Sequence, residues 1–471
     1  MGTSKRFCSS FQCREGFSTG GMTSVKRLQE LWAKTSPLAR RLALFALLNC
    51  VILNLALPSL SVYTRGSYDT TLTNTRAFFP LEAYADSWGP MRAALWHVHS
   101  AGRNLLYSTI FFQHKIKFQY PPTALLLFEP LRWFPYADLT SDHVLNLLSW
   151  VLAAATAVLV ARILAAGFRN AGPVPFGGLL GIQLAPVAVL MALTFYPLVR
   201  SFRVGQIQTW IDFLFAATVY AWIGGRERLA GACCAFICLI KPQLGLLFLW
   251  ALLRRRWSFA AGWTGVTLPL LAVSLWMYGL ENHLDYLRVV SYIGKHGESF
   301  YPNQSVNGLL NRMLFNGNNL SWDAHSFAPY NQWVYLGTTL SSFFFVVSAL
   351  FWKRHGNHQV QLTDLSIAAL SFTMAPPVAW THHYGIMLPI FALALPATLA
   401  SRLGASGLAL LAGSYVLSSN YFQFTNHLAG TSLNFVQSYL FFGAVLLLIC
   451  LYRLRNAQSL EQLRQSPRRA A

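Results

Sequence analysis

Apolar runs long enough to cross a bilayer recur from Leu42 onward, and short clusters of arginine and lysine punctuate them. A helix rises about 1.5 Å per residue, so ~20 apolar residues cover the roughly 30 Å of hydrocarbon. Only 11% of the 471 residues are charged and 54% are hydrophobic, whereas a soluble domain carries about 25% charged residues. A soluble enzyme and a disordered chain are both excluded. The net charge of +20 does not point to nucleic acid, because such proteins display basic residues on a polar surface. Here they separate apolar runs, which is the pattern of a polytopic all-α membrane protein.

The basic clusters orient the chain. The first run, Leu42 to Val62, follows eight basic residues and reads as an uncleaved span with a cytoplasmic N-terminus. A signal peptide would have a shorter apolar region and a shorter leader; Met22 is an alternative start. Further spans are predicted at about 143–166, 174–199, 206–223, 229–240, 243–253, 258–279, 330–352, 362–380, 384–400, 403–420 and 435–452. These twelve segments place 23 of the 36 basic residues on the cytoplasmic side, with both termini, as the positive-inside rule requires. The resulting organisation is a basic N-terminal segment at 1–41, a transmembrane domain at 42–452 and a basic tail at 453–471.

Two segments are short. Between Arg228 and Arg254 the pair Lys241-Pro242 divides 25 residues into arms of ~12, each about 18 Å long. That predicts a half-depth hairpin with a lysine at its tip. Tyr120 to Phe134, opened by two prolines and interrupted by Glu129-Pro130, predicts a helix at the outer interface. An amphipathic interfacial helix with Leu284, Leu287 and Val290 on one side is predicted to open the second large outer loop, 280–329. No cysteine falls in an outer loop, and no metal-ligand spacing is present.

Polar residues gather on one predicted face, in five places scattered over about 300 residues. They are Glu82 to Trp88, Tyr120-Pro-Pro, Arg200 to Gln208, Tyr301 to Ser305, and Trp380 to Tyr384 with His382-His383. A transporter more often sets its polar groups near the midplane on interrupted helices. The outer-face distribution fits an active site at the interface. There a carboxylate can take a proton from a hydroxyl, and arginines and histidines can balance a departing phosphate. Lys241 within the membrane is a functional candidate on cost alone, although pairing with Asp212 would also account for it. Arg200 and Arg203 could equally be snorkelling anchors, and the histidine doublet plain interface residues.

These elements, in this order, resemble glycosyltransferase family 87. The match is carried by the Asp86 loop, Gly102 to Tyr107, Phe118-x-Tyr120-Pro-Pro and Arg203-Val-Gly205-Gln206. It continues with Gly231 to Lys241-Pro242-Gln243, Arg254-Arg-Arg-Trp257, Asn303-Gln304-Ser305-x-x-Gly308 to Arg312, and Trp380-x-His382-His383. The resemblance implies a GT-C-type helix bundle that moves a sugar, mannose-like or arabinofuranose, from a polyprenyl-phosphate donor. The acceptor would be a lipid or glycan hydroxyl on the extracytoplasmic side of the plasma membrane. It implies Asp86 as general base of an inverting transfer. Glu82, Tyr120, Arg203, Gln206, Lys241, Asn303, Gln304, His382 and His383 are then the candidate substrate contacts. Ser87-Trp88 stands where the family usually has an aromatic residue directly after the aspartate, and Gln208 where it often has asparagine. No Asp-x-Asp follows Asp86, so metal independence is expected, with no other cofactor. A transporter or flippase for lipid-linked sugars, or an O-antigen ligase, is the competing class.

Overall fold

A computed structural model describes residues 37–51, 70–100, 105–133, 140–170, 180–352 and 356–465. Among them the chain is helical, and the one β-type pairing is an isolated bridge between Asn303 and Trp380. Five helices are long and apolar enough to cross a membrane: Asp142–Asn170, Trp257–His296, Gln332–Phe351, Thr381–Ala400 and Asn434–Gln462. A sixth unit, Leu184–Leu193 with Tyr196–Arg203, is bent by 55° at its break.

Every apolar stretch read between 143 and 452 contains a helix, but several are shorter than a full span. Gln208–Ile223 has 16 residues, Glu227–Ile240 has 14, His358–Met374 has 17 and Gly404–Ser419 has 16. The first run begins as the helix Pro37–Val51, and its remainder lies outside the described residues, as does most of the basic N-terminal segment. At the other end helix continues well into the predicted tail, as Tyr439–Gln465.

The hairpin around Lys241 forms. Glu227–Ile240 climbs to Lys241, a 3₁₀ turn spans Pro242–Gly245, and Leu246–Leu253 returns. An ion pair between Glu227 and Arg256 closes its base. The first arm lies tightly against the start of Trp257–His296, because Gly231 and Gly262 leave room for the opposing backbone. A Cβ on either would come within 2.0 and 1.9 Å of the carbonyls of Phe259 and Arg228. Small residues that admit a neighbouring backbone are the usual device for close helix packing in membranes.

Two segments predicted for the outer face differ in detail from expectation. The Tyr120 to Phe134 piece is not one interfacial helix but two 3₁₀ turns, Pro122–Leu127 and Glu129–Trp133. Pro121, Pro122 and Pro130 remove the N–H groups a longer helix needs. Tertiary bonds then fix the turns: Thr123 donates to the Leu239 carbonyl at 2.7 Å, and Glu129 accepts from Tyr278 at 2.6 Å. The amphipathic segment is continuous with the preceding span, broken only at Gly279 (φ 75°). Leu284, Leu287 and Val290 are exposed while Asp285 and Val289 are buried, as the predicted pattern requires.

Candidate active site

The sequence places Asp86 in a short non-helical stretch before the helix Trp88–Ser100. That stretch is held by the turn after Tyr196–Arg203. The N–H groups of Tyr84, Asp86 and Ser87 donate to the carbonyls of Arg203, Val204 and Gly205 at 2.9 to 3.0 Å. Gly205 makes this possible. It sits at φ +68°, and a Cβ there would lie 1.9 Å from the Tyr84 carbonyl oxygen, so a side chain is excluded on both counts.

Side chains complete the join. Gln206 donates to one carboxylate oxygen of Asp86, and its own carbonyl oxygen accepts from Ser87 at 2.8 Å and Tyr120 at 3.2 Å. The Ser87 and Tyr120 hydroxyls are themselves 2.9 Å apart, and the Ile207 N–H donates to Ser87. Thus Ser87, which departs from the family's usual aromatic residue, anchors the turn instead. Tyr120 is locked through its backbone as well, its carbonyl accepting from the Tyr107 hydroxyl at 2.6 Å.

Asp86 is open to solvent, yet protein surrounds it closely enough that desolvation raises its carboxyl above the ordinary range. The Gln206 hydrogen bond and the nearby charges of Arg200 and Lys117 oppose that rise. Lys117 is itself half-sequestered. It pairs with buried Glu298 at 3.2 Å and lies over the ring of Phe327 at 4.2 Å. Burial lowers the Lys117 ammonium and raises the Glu298 carboxyl, each partly offset by the other.

A second polar group adjoins the first. Lys241 donates to the Gln208 carbonyl oxygen at 2.6 Å, and Gln208 donates to Asp212 at 2.7 Å. Lysine and aspartate are therefore joined through Gln208 rather than directly. Gly385 packs against the Asp212 carboxylate, where a Cβ would lie 1.9 Å from an oxygen, and this brings the His382-His383 turn onto the cluster. His382 and His383 stand within electrostatic reach of Lys241, and His382 also of Arg200. One oxygen of Asp212 and Nε2 of His382 are buried without a hydrogen-bond partner. Arg200 is thus within electrostatic reach of both the Asp86 carboxylate and His382.

The remaining candidates occupy different positions. Both side-chain polar atoms of Asn303 serve the fold: its amide donates to the carbonyls of Glu298 and Pro377, and its oxygen accepts from Ala379 N–H. Gln304 likewise donates to the Tyr301 and Gln437 carbonyls and accepts from Phe441 N–H. Asn303 thereby binds its loop to the 377–379 stretch ahead of the histidine turn, and Gln304 binds it to the start of Tyr439–Gln465. Arg203 pairs with Glu82 at 3.3 Å and lies over the Tyr84 ring at 4.8 Å. Neither Lys117 nor Glu298 stands out in the sequence. A signal existed in Lys117, three residues ahead of Tyr120, but a lone lysine in an outer loop carries no pattern that separates it from a solvated one.

Taken together, one carboxylate open to solvent faces two cations, with a lysine and two histidines alongside. Such a group can take a proton and balance a nearby phosphate. Among the described residues, no three His, Cys, Asp or Glu side chains converge on a metal-holding position.

The model of a family described as Glycosyltransferase family 87 matches residues 118–377. A curated Polyprenol-phosphate-mannose-dependent alpha-(1-2)-phosphatidylinositol pentamannoside mannosyltransferase from Mycolicibacterium smegmatis is 25% identical over 296 residues. That alignment covers 62% of this chain and 64% of the relative. The chain therefore matches just under two thirds of that relative's length.

Proposed function

The chain belongs to glycosyltransferase family 87, and from that membership we propose that it transfers a sugar from a polyprenyl-phosphate donor to a hydroxyl of a lipid or glycan. The sugar is a mannose-like hexose or arabinofuranose, and mannose is favoured by the mannosyltransferase relative. The observation that carries the reading is the solvent-open Asp86 carboxylate, steadied by Gln206 and flanked by Arg200 and Lys117. In the transfer, Asp86 accepts the proton of the acceptor hydroxyl. The acceptor oxygen bonds to the anomeric carbon as the bond to the donor phosphate breaks, with inversion. The phosphate leaves with its charge balanced by Arg200 and Lys241, and the histidine pair beside them can donate hydrogen bonds to its oxygens. Lys241 suits this part because the hairpin carries it to the start of Gln208–Ile223, beside the histidines.

The same reading makes the fold a GT-C-type bundle of about twelve membrane segments, with both termini cytoplasmic and the site outside. We expect no metal requirement, since no Asp-x-Asp follows Asp86; activity should survive EDTA. The deciding experiment incubates purified protein with labelled polyprenyl-phosphate mannose and host lipid extract. Wild type should form a labelled product, and Asp86→Asn should lose at least about 100-fold in rate while still binding donor. Transfer by Asp86→Asn at the wild-type rate would sink the assignment. A flippase, by contrast, would move lipid-linked sugar without forming product.

A further inference from the structure

Beside Asp86, and on the same backbone segment, lies a small polar and aromatic ledge. Tyr84 is 61% exposed despite its position two residues before the carboxylate. Arg203 covers one face of its ring at 4.8 Å and donates to the Glu82 carbonyl at 3.0 Å and to the Glu82 carboxylate at 3.3 Å. The Glu82 side chain remains 64% exposed. The ledge is fixed in relation to Asp86, because the N–H groups of Tyr84 and Asp86 are bound to adjacent carbonyls of the Arg203–Gly205 turn. Lys241 stands within electrostatic reach of His382 and His383, whereas Glu82 pairs with Arg203.

We propose that Tyr84, Arg203 and Glu82 form the acceptor subsite and bind a pyranose ring of the acceptor beside Asp86. The exposed part of the tyrosine ring offers an apolar surface to the C–H face of a sugar. The carboxylate accepts from, and the guanidinium donates to, hydroxyls at the ring's edge, and such charged partners make the stronger hydrogen bonds. A flat isoprenoid or acyl chain would use the aromatic but leave the ion pair idle. This inference rests on the transfer reading above and adds the place and the means by which one substrate is recognised.

The test uses full-length protein in nanodiscs and does not depend on turnover. Saturation-transfer NMR with α-mannobiose as probe should show transfer to the sugar in wild type and in Asp86→Asn. Tyr84→Ala should abolish it, and Tyr84→Trp should retain it. No transfer in wild type, or unchanged transfer in Tyr84→Ala, overturns the subsite. In the labelled-donor assay, Tyr84→Ala should raise the acceptor KM by about tenfold with donor KM unchanged. A shift in donor KM instead would also overturn it. Failure of the transfer reading would appear separately, as absence of product from wild type with the NMR signal intact.

Discussion

Asp86 illustrates how one residue's chemistry is set by neighbours that are distant in sequence. Desolvation raises its carboxyl, and Gln206, Arg200 and Lys117 restrain the rise. The base role proposed for Asp86 requires the ionised form, so activity should climb with pH through this raised value, above the ~3.9 of a free aspartate. Gln206→Met removes the strongest restraint. The acid limb of the pH–rate profile should therefore move to higher pH, whereas a limb that stays in place or moves down would contradict the assigned coupling. Only part of this was legible beforehand. Aspartate in an outer loop and a Gly-Gln pair over 100 residues away are visible as residues, and family likeness puts them in one list. Their hydrogen bond is not visible, because nothing local in either stretch encodes the other. The same limit explains Asn303 and Gln304. The loop sequence shows two polar side chains but not that their amides are bonded to the Pro377 and Gln437 carbonyls.

Helices were the legible elements, since apolar length and flanking charge are properties of a contiguous stretch. Their ends were less so: the break at Gly279 and the 3₁₀ turns after Pro121 depend on tertiary bonds and proline chemistry together. The element that matters most for the site is also the least regular, the 84–87 segment bound to the 203–206 turn. Its closeness depends on Gly205, so Gly205→Ala should push the segment off the turn. Left-handed backbone with a Cβ costs on the order of 1–3 kcal/mol, and the clash with the Tyr84 carbonyl adds to it. Thermal unfolding should report a lower Tm, and transfer should fall at least about tenfold. Full activity in Gly205→Ala would mean that the segment's position is not needed. The Lys241 hairpin is different, because its geometry is secured at the far end by Glu227 and Arg256 and along its side by Gly231 and Gly262. Gly262→Leu should therefore loosen the hairpin without touching any polar group of the site.

At the scale of the molecule, the chain sorts its charge to two ends. Gln208–Ile223 starts at the site, and Trp222 in its last turn packs on Trp250, Phe259 and His358. Near that far end Asp364 accepts from Trp250, Arg254 and Arg455, all three side chains being nearly or fully buried. One carboxylate thereby ties together four helices, because Arg254 also donates to the Ala349 carbonyl at the end of Gln332–Phe351. Asp364→Leu would leave two buried guanidiniums without their anion. A loss of about 3–5 kcal/mol is expected for such a break, read as a lower unfolding midpoint with donor KM unchanged in the protein that folds. The positive-inside rule assigns this end, with Arg226, Arg228 and Arg254 to Arg256, to the cytoplasm and the Asp86 end to the outside. Thiol labelling separates the two. In a variant with all seven native cysteines replaced by alanine, His114→Cys and Arg226→Cys put single exposed thiols at opposite ends. A membrane-impermeant maleimide applied to intact cells should modify the thiol at 114 and reach the one at 226 only after permeabilisation. The reverse pattern would place Asp86 in the cytoplasm.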